Sequence, residues 1–166
     1  MIRTIVTALR AVSTPRFFET ERGYQGELLA ELRAALPALA LPGDAIVEQE
    51  YQKTLPVHKI NIRPDIIIHV PAAEGGNRNI GNFAVFELNF QAGPTEARED
   101  FLNLDTVIGA LDYPLGVFVN IDSVRTQAAH YQGAYRERIH FFAVRLIDGV
   151  VQVRDAHFTE DGLVER

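Results

Sequence analysis

The feature of this sequence that most constrains its fold is a short, almost continuously apolar run, Phe83 to Phe90. A run of this kind is typical of a central strand that is covered on both faces, as in domains where helices pack on either side of a sheet. A loop rich in Gly and Asn, residues 72–82, precedes the run, and Gly93-Pro94 follows it. Because both ends carry loop signals, the run is predicted to be one strand of an α/β sheet.

Hydrophobic periodicity and turn signals predict the remaining elements. Helices are predicted over Met1–Val12, Gly23–Leu36 and Thr95–Leu111, the last with Thr95 as N-cap and Glu96 in its first turn. Further strands are predicted over Ala45–Tyr51, His58–Val70, Leu115–Ile121, Ile139–Ile147 and Val150–Arg154, with a turn around Thr54-Leu55-Pro56 and a polar connection, Asp122–Tyr135, that has room for another helix. Asp148-Gly149 between the last two strands is a strong hairpin signal. The pattern predicts a single domain, residues 1–166, with a mixed central sheet flanked by helices.

Composition excludes several classes of function. The chain has 166 residues, 47% of them hydrophobic, which suits one domain with a substantial core. It contains no cysteine, so disulfides, thiolate zinc sites and cysteine nucleophiles are excluded. A net charge of −6 argues against a general polyanion binder. The absence of a long apolar run and of a signal-peptide pattern predicts a cytoplasmic protein without a membrane partner.

Two acidic residues are predicted to face each other on neighbouring strands. In the predicted strand 58–70, Ile66 and Ile68 take one parity and Asp65 the other, so Asp65 is expected on a polar face. In the next strand, Glu87 and Asn89 share one side, about 6.6 Å apart. Two carboxylates about 5 Å apart repel by about 3 kcal/mol at an effective dielectric constant of about 20, so such a pair needs a cation, a shared proton or an arginine to compensate. The simpler alternative is two strand-end carboxylates that are satisfied by Arg63, Arg98 or backbone donors. Mg²⁺, which prefers oxygen ligands, would be served by both carboxylates and a backbone carbonyl beside Glu87.

The run Arg63-Pro64-Asp65 and the later Glu87-Leu88-Asn89 together resemble the bipartite motif of PD-(D/E)XK nucleases. The resemblance spans residues 19–121 and implies a restriction endonuclease-like fold with an α-β-β-β-α-β core, here followed by the C-terminal hairpin. It also implies hydrolysis of phosphodiester bonds in DNA, with Mg²⁺ or Mn²⁺ held by Asp65, Glu87 and the carbonyl of Leu88. Glu27, in the helix before the sheet, is similar in placement to a further acid of the family that supports the metal through water. The alternative for Glu27 is a solvated helix residue.

The chain departs from the family at Asn89, where the motif has a lysine that orients the attacking water. Asparagine can hold a water but carries no charge, and losing a positioned proton-transfer group commonly lowers a rate by about 10² to 10⁴. Arg63 and Arg98 are candidate substitutes that would also contact DNA, whereas Lys59 is expected about 20 Å from Asp65 along its strand. Two functions therefore remain open: a metal-dependent nuclease, or a catalytically degenerate nuclease fold that binds nucleic acid or assembles with proteins.

One further segment interleaves basic and aromatic groups, as expected where phosphates are gripped and bases stacked. Its members are Arg125, His130, Tyr131, Tyr135, Arg136 and Arg138. A solvated basic surface is the simpler interpretation. An acidic chain with one basic edge fits a homodimer or a complex subunit better than a lone DNA binder. The five histidines have no i, i+4 pair and no spacing typical of metal ligands.

Overall fold

A computed structural model describes residues 1–50, 58, 60–73 and 75–166 of the chain. The α-helices among these residues are α1 (Ile2–Ala11), α2 (Glu21–Ala35) and α3 (Pro94–Leu111). The strands are β1 (Ile46–Gln49), β2 (Ile66–His69), β3 (Asn82–Phe90), β4 (Gly116–Ile121), β5 (Ile139–Ile147), β6 (Val150–Thr159) and β7 (Gly162–Glu165). The predicted α/β class is confirmed.

The seven strands form one mixed sheet in the order of the sequence, β1 to β7. Antiparallel pairs join β1 to β2 and β2 to β3, while β3, β4 and β5 run parallel. Antiparallel pairing returns from β5 through β6 to β7. Helix α3 makes the crossover between β3 and β4, as a parallel connection requires. The predicted mixed sheet is therefore confirmed.

Helices cover both faces of the sheet. Helices α1 and α2 pack on one face, where Phe86 belongs to their hydrophobic core. Helix α3 packs on the other face, where Val85 and Phe118 belong to a second core. The buried side chains of β3 thus alternate between the two cores. The prediction that residues 83–90 form a strand covered on both faces is confirmed.

The helix starts follow from local chemistry. Thr20 is the N-cap of α2, and its hydroxyl accepts a hydrogen bond from the Gly23 N–H at 3.1 Å. A Cβ on Gly23 would lie 2.9 Å from that hydroxyl, so glycine leaves room for the cap. The predicted N-cap at Thr95 is wrong, because the N-cap of α3 is Gly93 and Pro94 occupies the first turn. Proline suits the first turn since its missing N–H would have no partner in the helix.

The predicted strand His58–Val70 is wrong over residues 60–65. Regular pairing begins only at Ile66, because Pro64 has no N–H to donate to a ladder. Ile60 packs in the core on the α3 side, whereas Ile66 packs in the core on the α1 and α2 side. The chain therefore changes direction before Asp65. Strand β2 is also buried on both faces, so the expected polar face is absent along Ile66–His69.

The C-terminal hairpin was predicted correctly and extends further than expected. Asp148 and Gly149 have φ values of 50° and 76°, the positive values that a tight two-residue turn requires. Strand β6 continues to Thr159 rather than ending at Arg154, and β7 (Gly162–Glu165) adds an unpredicted edge. The polar connection 122–135 holds only a short 3-10 helix, Ala128–His130.

None of the helices within the described ranges combines the length and apolar character needed to cross a lipid bilayer. The predicted turn at Thr54-Leu55-Pro56 and the residue Lys59 lie outside the described residues.

Candidate functional site

Asp65 and Glu87 lie opposite each other on one face of the sheet. In the antiparallel pair of β2 and β3, Ile67 is the partner of Val85. Two positions further along the same register, Asp65 comes opposite Glu87, and side chains two positions apart share a face. Ile67 and Val85 both pack in the core under α3. The two carboxylates therefore project to the α3 side of the sheet.

Three hydrogen bonds hold Asp65 in place. Its Oδ2 accepts the Leu88 N–H at 2.7 Å. Its backbone carbonyl accepts from Gln25 Nε2 and from the Glu50 N–H, each at 2.9 Å. The N–H and C=O of one strand residue point to the same neighbour, so the Leu88 carbonyl is directed to the side on which the Asp65 carboxylate lies. The Asp65 carboxylate thus continues the hydrogen bonding between β2 and β3 at the position just before β2 begins.

Burial raises the pKa of Asp65 to about 7, although the hydrogen bond from Leu88 lowers it. The negative charges of three neighbouring acids add to the rise: Glu21, Asp100 and Glu50. At neutral pH this carboxyl group therefore takes up a proton, or a cation, much more readily than an ordinary aspartate does.

Glu87 is almost completely buried, with only 5% of its surface exposed. Its Oε1 is buried and has no hydrogen-bond partner among the described residues. Burial raises its pKa well above 4.5, and the charges of Asp65, Asp100 and Glu21 raise it further. A buried carboxylate oxygen without a partner is costly, so this position calls for a ligand or a proton.

Asp100 of α3 lies close enough to Asp65 and Glu87 for its negative charge to act on both of them. Asn89, two residues after Glu87, donates from Nδ2 to Asp100 Oδ2 at 2.8 Å. Burial raises the pKa of Asp100 to about 6 against the lowering effect of this hydrogen bond, and the charge of Glu21 raises it further. Two positions after Glu87, the chain therefore carries an amide that is turned towards an acid.

Glu21, at the start of α2, is the fourth acid of the group. Burial raises the pKa of Glu21. A hydrogen bond from the Phe90 backbone N–H and the positive charge of Arg22 both lower it. We refer to Glu21, Asp65, Glu87 and Asp100 as the acidic group. Glu27, the residue of α2 that the sequence singled out, is not among the charges that act on the other acids.

Glu21 and Asp100 were not predicted from the sequence. Both belong to helices whose starts lie near the C-terminal end of β3, so only the tertiary fold brings them to the pair on the strands. One local signal for Glu21 was available, because it directly follows Thr20, a favourable N-cap residue. Asp100 carries no comparable signal.

The two predicted arginine substitutes make their contacts with residues outside the acidic group. Arg63 is exposed and approaches Glu50 at 3.5 Å. Arg98 lines a different cavity, together with Asp105 and Tyr131. Neither arginine is among the charges that act on the acids. A closer cation is Arg22, which lines a cavity of about 300 Å³ beside the group with Gln25, Gly26, Gln49 and Glu50.

Within the basic and aromatic segment, the structure removes Tyr131 from the groups that could stack on a base. Tyr131 is only 3% exposed and donates its hydroxyl hydrogen bond to Asp105, so its ring is part of the core. Arg136 lies over the ring of Phe158, 5.3 Å from its centre. Arg138 is paired with Asp112 at 2.7 Å. Arg125 is exposed and lines a third cavity.

A second group of residues that could hold a metal ion lies elsewhere in the sheet. His140 of β5 and Asp155 and His157 of β6 bring one ligand atom each within 4.8 Å of one another. Sequence spacing did not reveal this group, because its members meet only across the hairpin.

Comparison of the chain with protein-family models, with curated proteins and with solved structures gave no match. The chemistry of the site must therefore be judged from its own residues.

Proposed function

We propose that the chain is a nuclease-like protein that hydrolyses phosphodiester bonds in DNA with the help of Mg²⁺ or Mn²⁺. The observation that carries the proposal is the placement of Asp65 and Glu87 opposite each other, beside the Leu88 backbone, with Glu87 Oε1 buried and without a partner among the described residues. The order α2-β1-β2-β3-α3-β4, with an antiparallel β1-β2-β3 meander and a parallel crossover, supports a restriction endonuclease-like core.

The residues present fit a hard divalent cation. The donors that would hold it are all oxygens: the carboxylates of Asp65 and Glu87 and the carbonyl of Leu88. Mg²⁺ favours oxygen ligands and needs only a few of them from the protein, since water and substrate phosphate complete its coordination shell. Bound there, the ion would supply positive charge that polarises a phosphoryl oxygen and makes water a better nucleophile.

The neighbouring residues would complete the chemistry. Asp100 faces the acids and is held by Asn89, so it is placed to accept the proton of an attacking water. Arg22 lines the adjoining cavity and is the cation best placed to neutralise the phosphate that is cleaved. In this assignment Asn89 acts on Asp100 as a positioning residue and does not replace the charge of the family's lysine.

A second candidate function is a divalent-cation-dependent binding module without hydrolysis. The observation that favours it is the Asn89 amide, which donates to Asp100 where the motif lysine would supply a charge. In addition, the charges that raise the pKa values of Asp65, Glu87 and Asp100 are those of neighbouring acids. Such a module would bind the ion and nucleic acid, or assemble with a protein, but leave phosphodiester bonds intact.

Two measurements on the same preparations separate the candidates. Binding of Mn²⁺ and Mg²⁺ is measured by calorimetry, and cleavage is measured with supercoiled, linear and single-stranded DNA. The variants are Asp65→Asn and Glu87→Gln, which keep the size of the side chain and one accepting oxygen but remove the charge. Asp161→Asn, at an exposed turn residue, is the matched control.

Metal-dependent cleavage that is lost in both site variants and kept in the control would support the nuclease. Metal binding that Glu87→Gln abolishes, without any cleavage, would support the binding module. If the folded wild-type protein binds neither ion, both candidates fail.

A further inference from the structure

The second candidate metal group is built on the C-terminal hairpin. The register of β5 and β6 pairs His140 directly with His157, and Asp155 lies two residues from His157 on the same side of β6. The two imidazole rings are stacked, with centres 4.9 Å apart and planes inclined by 17°. Phe142, two residues further along β5, stacks against His140. The side chains are therefore held by the sheet and not by a loop.

The distances within the group match those of a tetrahedral metal shell. His140 Nδ1 lies 3.3 Å from Asp155 Oδ1, and His157 Nδ1 lies 3.6 Å from Asp155 Oδ2. With metal–ligand bonds of about 2.0 to 2.2 Å, two ligands of a tetrahedral ion are about 3.3 to 3.6 Å apart. The two distances end on different oxygens of Asp155, and the three ligand atoms lie within 4.8 Å of one another. One ion can therefore contact all three side chains once the two nearly parallel imidazole rings turn towards a common point.

The group also contains an unsatisfied polar atom. His157 Nδ1 is buried and has no hydrogen-bond partner among the described residues, since 3.6 Å from Asp155 is too long for one. The side chains keep between 18% and 21% of their surface exposed, so water can reach a fourth position. Two imidazoles and one carboxylate with an open position form a donor set typical of Zn²⁺ and of related first-row transition metals.

We propose that His140, Asp155 and His157 form a binding site for a transition-metal ion of the Zn²⁺ type. The site is separate from the acidic group. His140 shares its sheet face with Phe142, which belongs to the core under α1 and α2, whereas Glu87 shares its face with Val85 under α3. The two sites thus lie on opposite faces, and their donors differ: nitrogen-rich here, all-oxygen there.

Titration of tag-free, chelator-treated protein with Zn²⁺ against a chromophoric chelator tests the proposal, with Co²⁺ as a spectroscopic probe. We expect one tightly held equivalent of Zn²⁺ and the intense visible absorption of tetrahedral Co²⁺. His157→Gln and Asp155→Asn should each weaken Zn²⁺ binding by about tenfold or more. His130→Gln is the matched control, because His130 is also partly buried but lies outside the group.

Folding of each variant is checked by circular dichroism, and Asp155→Asn, the more conservative change, decides the matter if His157→Gln does not fold. Equal Zn²⁺ affinity in wild-type protein and in folded Asp155→Asn would overturn the proposal. Loss of the Zn²⁺ equivalent in Glu87→Gln would also overturn it, because the ion would then belong to the acidic group. Retention of Zn²⁺ in Glu87→Gln supports it whether or not the proposed nuclease activity is found.

Discussion

Replacing Asp65 with asparagine should stabilise the metal-free protein at alkaline pH. Asparagine keeps an oxygen that can accept the Leu88 N–H, so the hydrogen bond at 2.7 Å is retained while the buried charge is removed. In the folded wild-type protein the Asp65 carboxyl has a pKa of about 7, against 3.8 for an ordinary aspartate. The folded state therefore binds more protons than the unfolded chain between these two values, and the free energy of unfolding falls as pH rises through that window.

The magnitude follows from the two pKa values. The difference between 3.8 and about 7 corresponds to about 4 kcal/mol, at about 1.36 kcal/mol per pH unit. Asp65 is not fully buried, and its titration is coupled to that of the neighbouring acids. We therefore expect Asp65→Asn to gain about half of this free energy, or about 2 kcal/mol. In a chain of this size that gain raises the melting temperature by about 4 to 8 °C. The gain should be near zero at pH 4 and complete above pH 7.

Thermal or denaturant unfolding in the presence of EDTA, from pH 4 to pH 8.5, measures this difference. Asp161→Asn should show no pH-dependent difference from the wild type, because its side chain is exposed in the turn before β7. Added Mg²⁺ should raise the stability of the wild type and leave Asp65→Asn unchanged. An Asp65→Asn protein that is no more stable than the wild type at pH 8, or whose advantage does not vary with pH, would refute the reasoning.

Three further predictions test other contacts. Asn89→Lys should place a cation against Asp100. If the chain is a nuclease, this change should raise Mg²⁺-dependent DNA cleavage by about tenfold or more. An unchanged or lower rate would argue that residue 89 does not occupy the position of the motif lysine. Asn120→Ala should lower the free energy of unfolding by about 2 to 4 kcal/mol in a denaturant titration, because the buried side chain both donates to and accepts from the Ala92 backbone ahead of α3. Tyr131→Phe should cost about 1 to 2 kcal/mol by the same assay, because it removes the hydroxyl that donates to Asp105. It should leave DNA affinity unchanged, and a large loss of DNA binding with intact stability would show that this hydroxyl contacts the nucleic acid.

The fold was predictable where one local signal dominates. The apolar run 83–90 identified the central strand, and the turn at Asp148-Gly149 identified the hairpin. The prediction failed at residues 60–65, because alternating isoleucines suggested one strand, although Ile60 and Ile66 belong to different cores. Pro64 was the signal that should have ended the strand, since it cannot donate to a ladder.

The candidate site was predictable only in part, for a related reason. Strand parity placed Asp65 and Glu87 together, but parity says nothing about which helix residues approach from above. Glu21 is the first residue of α2 and Asp100 lies in the second turn of α3, so both join the strand pair through tertiary packing. The same limit did not apply to the hairpin, where Ile147 pairs with Val150 across the turn. Counting outward from that pair brings the two histidines of the second metal group opposite each other. The second strand was predicted to end at Arg154, before His157, so their pairing was not predicted.

The acidic group can be stabilised by protons or by a cation, and the two can be told apart. Burial and neighbouring acids raise the pKa of Asp65 to about 7, and the pKa of Glu87 lies well above that of an ordinary glutamate. A cation that binds both carboxylates must displace these protons, so its affinity should increase with pH. Calorimetry at pH 7 in buffers of different ionisation enthalpy should therefore report release of about one proton or more per Mg²⁺ or Mn²⁺ bound. Binding without proton release would mean that the ion sits on already ionised surface acids, and the buried pair would then be held by protons alone.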